Sequence, residues 1–92
     1  MNSRRTTMQI YADILRSIRK SGGKMKKTHI VYKANLTHMR LEKYTEFLLS
    51  RNLINEQRMG NQTFFMITDE GARFLEKINK LQKISDAFGI PI

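Results

Sequence analysis

Two histidines and two glutamates are the side chains in this 92-residue sequence whose spacing could support catalysis or metal binding. His29 and His38 are separated by nine positions, and no cysteine or pair of acidic residues at ligand spacing completes a metal site. Glu42 and Glu46 could share a helix face, but nothing marks either as buried. Gly22-Gly23-Lys24 lacks the rest of a phosphate-binding loop, and no serine lies in a nucleophile motif. We therefore expect no enzymatic activity, catalytic residue, metal, cofactor or small-molecule substrate.

The basic side chains form a much stronger pattern. The net charge is +9, and all of it arises in residues 1–51, which hold 12 Lys and Arg against 3 acidic residues; residues 52–92 hold 5 of each. Such segregation is typical of a protein that turns one side toward a polyanion. The expected partner is double-stranded DNA.

Composition limits where the protein works. The sequence has no cysteine and no apolar run near the roughly 20 residues of a membrane-spanning helix. The first residues are polar and basic, without the apolar stretch of a secretory signal. We expect a cytoplasmic, nucleoid-associated protein with no membrane partner.

Three helices, a hairpin and a fourth helix are predicted to position the basic residues. Helical periodicity covers about residues 7–21, 28–34 and 38–52, with Thr6 or Thr7 and Thr37 as N-caps. The period then changes to that of a hairpin, which begins at 53–54, turns at 58–61 and returns over 62–67. Thr68 caps a last helix that runs to about Ala87. The fold class is α+β, mainly α: a winged helix-turn-helix with a two-stranded β-hairpin wing and a long C-terminal dimerisation helix.

The predicted DNA contacts surround the turn between the second and third helices and include the hairpin tip. The third helix would enter a major groove with its first turns, and basic side chains before it would hold phosphates. The candidates are Lys26, Lys27, Lys33, Thr37, His38, Met39, Arg40, Lys43 and Arg58. Further phosphate contacts are expected from Arg16, Arg19, Lys20 and Lys24.

The aromatic residues keep another class of function open. Phe64 and Phe65 are adjacent on a strand, so one of them points away from the core, as in modules that stack the bases of RNA or single-stranded DNA. Tyr11, Tyr32 and Tyr44 are predicted to be core residues. A protein-interaction adaptor is a third class, which Arg40 and Lys43 disfavour.

The last helix predicts self-association. Apolar residues at heptad-like spacing form a stripe that extends beyond what a small winged domain can cover. The predicted homodimer interface comprises Phe74, Ile78, Leu81, Ile84 and Phe88. In the alternative, Leu75 and Ile78 pack on the domain and the rest frays. We expect a winged-helix unit at 1–68 and a dimerisation element at 69–92.

The sequence resembles the archaeal winged helix-turn-helix DNA-binding family, whose members include ten-kilodalton chromatin proteins of Sulfolobus-type archaea. The resemblance covers about residues 8–80. It rests on Ile30–Thr37, Tyr44, Leu48, Leu53-Ile54 and, after the hairpin, Thr68, Gly71 and Leu75. It implies a winged helix, binding of double-stranded DNA and a dimer formed by an antiparallel coiled coil of the last helix. The longer hairpin and shorter last helix of this chain depart from the family pattern.

Overall fold

A computed structural model describes residues 5–91. Within that range the chain forms four helices and a three-stranded sheet in an α+β arrangement that is mainly helical. The elements are α1 (Thr7–Lys20), β1 (Lys24–Lys26), α2 (Lys27–Lys33), α3 (His38–Ser50), β2 (Ile54–Met59), β3 (Gln62–Ile67) and α4 (Asp69–Phe88). The predicted order of three helices, hairpin and fourth helix is confirmed.

Three threonines begin the main helices, as predicted. The side chain of Thr6 accepts a hydrogen bond from the backbone of Gln9 and that of Thr37 from the backbone of Arg40. Thr68 likewise accepts from the backbone of Gly71. Each hydroxyl satisfies a backbone N–H that has no partner inside the helix, so the helix starts are determined locally.

Two asparagines end the helices of the helix-turn-helix. Asn35 after α2 and Asn52 after α3 have φ values of 55° and 60°, in the left-handed region that asparagine tolerates better than most residues. The following residues, Leu36 and Leu53, donate backbone hydrogen bonds to carbonyls five residues earlier and are buried. This arrangement reverses the chain sharply and anchors each turn in the core.

The sheet differs from the predicted two-stranded hairpin by one strand. β2 and β3 form the expected antiparallel hairpin around Gly60-Asn61, which we call the wing. β1 adds to the other edge of β3, with Met25 opposite Phe65. The sequence indicated Lys24 and Lys26 as phosphate contacts and gave no sign of a strand at 24–26. Met25 and Phe65 are both buried, so the third strand ties the wing to the helices.

The core is shared by all four helices and the sheet. Its fully buried members include Ile10, Ile14, Leu15, Ile18, Ile30, Leu41, Leu48, Ile54, Phe65 and Leu75. Tyr44 is buried and Tyr11 is half-buried against Tyr44 and Phe47, as predicted for core residues. The prediction for Tyr32 is wrong: its side chain is 81% exposed, because it lies on the side of α2 opposite Ile30 and Val31.

The first half of α4 belongs to the winged domain. Gly71, Leu75 and Ile78 are buried, and a Cβ at position 71 would overlap the carbonyl oxygen of Leu53. Only glycine therefore allows α4 to approach the end of α3 so closely. Within residues 5–91, no helix is long and apolar enough to cross a membrane.

Candidate nucleic-acid interface

The first two turns of α3 and the residue before them project polar and basic side chains, together with Met39, away from the core. Leu41, Tyr44 and Leu48 fix the buried side of the helix. Met39 and Lys43 therefore lie on the outward side, since positions four apart are neighbours on a helix surface. Thr37, His38, Met39, Arg40 and Lys43 are all exposed, and we call them the α3 face.

Tyr44 supports the two cations of the α3 face. The Arg40 guanidinium carbon and the Lys43 ammonium each lie 5.8 Å from the centre of the Tyr44 ring. An Arg40 guanidinium nitrogen also lies 3.4 Å from the Tyr44 hydroxyl. Among residues 5–91, no carboxylate forms an ion pair with either cation. Both charges thus remain available to an anionic ligand while the aromatic ring restrains their positions.

Lys27, another predicted contact, already has a partner. Its ammonium forms a hydrogen-bonded ion pair with Glu42, one turn into α3. The hydrogen bond and charge of Lys27 hold the pKa of the Glu42 carboxyl group below its ordinary value, with a smaller contribution from His38. The pair links α2 to α3 and compensates the charge of Lys27 in the free protein.

A groove lies between the start of α2 and the wing, and its residues Thr28, Gln62 and Thr63 were not predicted from the sequence. It has a volume of about 230 Å³ and is lined by Lys26, Lys27, Thr28, Asn61, Gln62 and Thr63. We call it the wing groove. Hydroxyl, amide and ammonium groups are the donors that contact phosphate in protein–DNA complexes. Pairing of β1 with β3 brings residues 26–28 to the wing, and that long-range pairing has no local signal in the sequence.

Two other predicted contacts lie apart from the wing groove. Lys33 is exposed at the opposite end of α2 from Lys26 and lines a separate depression of about 510 Å³ with Lys20. Arg58 is exposed on β2, opposite Thr63 and close to the turn of the wing. Lys26 therefore lies at the start of α2, next to the Lys27–Glu42 pair that joins α2 to α3, whereas Arg58 is on the wing and Lys33 is at the far end of α2.

The two arginines of α1 that were predicted to contact phosphate have partners within the fold. Arg16 donates hydrogen bonds to Asp13 at 3.2 Å and to Asn79 at 3.0 Å, and Arg19 donates to Glu76 at 2.9 Å. Both side chains thus connect α1 to α4. Their acidic and amide partners satisfy them within the fold, so they are structural residues in the free protein.

Arg5, which precedes α1, also has partners within the fold. Its guanidinium donates to Asp13 at 2.7 Å and to the carbonyl oxygens of Ala34 and Asn35 at 2.6 and 2.9 Å. These carbonyls end α2, so Arg5 fastens the helix-turn-helix to α1. Residues 1–4 lie outside the described range.

The predicted dimer residues fall into two groups. Ile78 is 3% exposed, so the winged domain itself covers it, whereas Phe74 packs against the core and remains partly exposed. That placement corrects the prediction for Ile78, which has no surface left for a partner chain. Leu81, Ile84 and Phe88 are exposed on the second half of α4.

Comparisons with known proteins agree with this geometry. The family model described as winged helix-turn-helix matches residues 4–86. The chain belongs to the winged helix-turn-helix family. Its fold is that of a winged-helix DNA-binding domain. No curated protein sequence matches it significantly.

Several solved structures are similar. Sso10a-2, a DNA-binding protein from Sulfolobus solfataricus, superposes with a TM-score of 0.85 at 26% identity, over 91% of this chain and 85% of that one. The PcaV transcriptional regulator from Streptomyces coelicolor has a TM-score of 0.78 at 22% identity, over 100% of this chain and 67% of that one. The transcriptional regulator BldR from Sulfolobus solfataricus has a TM-score of 0.76 at 13% identity, over 87% and 60%. The similarity to PcaV and BldR concerns the fold alone.

Proposed function

We propose that this protein is a non-catalytic binder of double-stranded DNA. The α3 face enters the major groove, and Lys26 and the wing groove hold the flanking phosphates. The observation that carries the proposal is the pair of ring-supported cations, Arg40 and Lys43, which have no carboxylate partner among the described residues. Arginine and lysine at the start of a recognition helix reach base edges or phosphates in this docking geometry. The DNA-binding description of Sso10a-2 supports the proposal.

A salt series tests it directly. The affinity falls as salt is added, and each phosphate neutralised on duplex DNA makes the slope of log affinity against log salt steeper by about 0.9. Arg40→Ala and Lys43→Ala should each weaken binding and make the slope flatter by about 0.9, the contribution of one phosphate. Lys77→Ala and Lys80→Ala on α4 are matched controls and should change neither. Equal effects in both pairs would place the binding surface elsewhere.

We favour duplex DNA over RNA or single strands because the aromatic that could stack a base is covered. The Lys24 ammonium lies 4.8 Å from the centre of the Phe64 ring, and Phe64 is half-buried. Phe65 is in the core. A stacking platform requires an open ring face. Competition between duplex and single-stranded probes should favour the duplex, and a preference for single strands would reverse the assignment.

The role on DNA is either that of a transcriptional regulator or that of a nucleoid-associated architectural protein. The fold of this chain occurs in proteins described as transcriptional regulators, such as BldR, and in the DNA-binding protein Sso10a-2. Selection of bound sequences from random duplexes separates the two roles. A defined motif indicates a regulator, and its absence indicates an architectural protein.

We further propose that the protein acts as a homodimer through the second half of α4. Leu81, Ile84 and Phe88 expose large apolar surfaces in a row, with Phe88 74% exposed. An exposed apolar cluster of this kind on one helix is typical of a subunit interface. Mass measurement by sedimentation should give a dimer at micromolar concentration. The variant Leu81→Ser/Ile84→Ser should give a folded monomer, whereas a wild-type monomer would refute the proposal.

A further inference from the structure

Met39 is the most exposed large apolar side chain in the part of the chain that the structure describes. It is 83% exposed and lies in the first turn of α3, between His38 and Arg40. At 100° per residue it is on the side of the helix opposite Leu41 and Leu48, so it points straight away from the core. Neither folding nor the proposed dimer covers it.

The charges along the outward side of α3 show which part of the helix meets DNA. Met39, Lys43 and Glu46 follow one another at spacings of four and three residues. Lys43 attracts phosphate and Glu46 repels it, so the helix enters the groove with its N-terminal turns and leaves it near Glu46. Met39 then occupies the deepest point of the helix in the groove.

A base edge offers one apolar group in the major groove, the 5-methyl group of thymine. A methionine side chain is unbranched and polarizable, so it adapts its shape to a small apolar surface. We propose that Met39 reads thymine by packing against that methyl group, while Arg40 and Lys43 supply the polar contacts. The inference rests on the proposed function and deepens it, because it makes α3 selective for A·T pairs at one position.

Removal of the methyl group without other changes tests the contact. The probe is a duplex of alternating A·T pairs, in which every register presents thymine methyl groups, compared with the same duplex containing deoxyuridine. Burial of one methyl group corresponds to about fourfold in affinity, so the thymine duplex should bind about fourfold more tightly per Met39 engaged. In Met39→Ala the two duplexes should bind equally. Since Met39 is exposed, this variant should fold normally, which circular dichroism checks.

Met59→Ala is the matched control. Met59 is a second exposed methionine, but it lies on the wing, next to the turn. Its variant should keep the wild-type ratio between thymine and uracil duplexes. A change of DNA shape caused by uracil would persist in Met39→Ala, so an unchanged ratio in that variant would overturn the inference.

A second experiment adds a methyl group to the duplex instead of removing one. In a duplex of alternating G·C pairs, replacing cytosine with 5-methylcytosine adds a methyl group at the corresponding place in the groove. Wild-type affinity should rise about fourfold, and Met39→Ala should not respond. A wild-type protein that binds all duplexes equally refutes the thymine contact but leaves DNA binding intact. A wild-type protein that binds no duplex refutes the proposed function itself.

Discussion

Replacement of Glu42 by glutamine should strengthen DNA binding. In the free protein the Glu42 carboxylate compensates the charge of Lys27, which lines the wing groove beside Lys26. A phosphate that enters the groove must compete with that carboxylate for the ammonium group. Glu42→Gln removes the competitor and its repulsion of the phosphate, but keeps the size of the side chain.

The magnitude follows from counterion release. One additional phosphate neutralised per subunit steepens the slope of log affinity against log salt by about 0.9. Between 1 M and 0.1 M salt, this slope corresponds to a gain of about eightfold per subunit, or about 60-fold for a dimer that uses both subunits. The pair is exposed, with 56% of the Glu42 side chain accessible, so folding stability should change little.

The assay is fluorescence anisotropy with a labelled duplex across a salt series. Glu70→Gln is the matched control, because Glu70 has the same 56% exposure and the same kind of ion pair, with Arg73 on α4. It should leave DNA binding unchanged. Adding Lys27→Met to Glu42→Gln should abolish the gain. If Glu42→Gln does no more than Glu70→Gln, Lys27 does not contact phosphate.

Three further predictions concern pairs and packing that the fold creates. The pKa of Glu42 should lie below its ordinary value of 4.5 because of Lys27. The pair with Lys27 therefore contributes to stability above pH 4.5, and this contribution is lost as the pH falls through the lowered pKa. NMR titration of the wild type measures the pKa, and Lys27→Met should raise it toward 4.5. Gly71→Ala should destabilise the protein by about 3 kcal/mol, measured by urea unfolding, because its Cβ would overlap the Leu53 carbonyl oxygen; an unchanged midpoint would contradict the packing. Arg19→Ala should leave the salt slope of DNA binding unchanged, and a slope flatter by 0.9 would show that this arginine reaches phosphate.

The helix boundaries could be predicted because their signals are local. A threonine hydroxyl that accepts from the backbone three residues later, as at Thr37, acts within one turn. Strand β1 could not be predicted in the same way. It has three residues, two of them lysines, and it exists because Met25 lies opposite Phe65, forty residues later. Such short strands depend on tertiary pairing and leave no periodicity to detect.

The exposure of the candidate site residues at the start of α3 could be predicted from the sequence, but the ion pairs of the other basic residues could not. Arg40 and Lys43 follow from their place at the start of α3. The partners of Arg16 and Arg19 lie on α4, more than fifty residues away, and no pattern in the sequence connects them. Tyr32 was misplaced because α2 has only two turns, and its buried side is filled by other residues of the same helix.

These pairings change what the net charge means for binding. If every positive charge of the first half acted on DNA, its 12 Lys and Arg would give a salt slope of about 11 per subunit. In the free protein, acidic side chains within the fold pair with four of these cations: Arg5, Arg16, Arg19 and Lys27. Of the predicted contacts that have no acidic partner among the described residues, Lys26, Arg40, Lys43 and Arg58 lie at the start of α2, on the α3 face and on the wing. Four contacts give a slope of about 3.6 per subunit. A measured value near 11 would mean that the paired arginines exchange their carboxylates for phosphates on binding, and the link between α1 and α4 would then open in the complex.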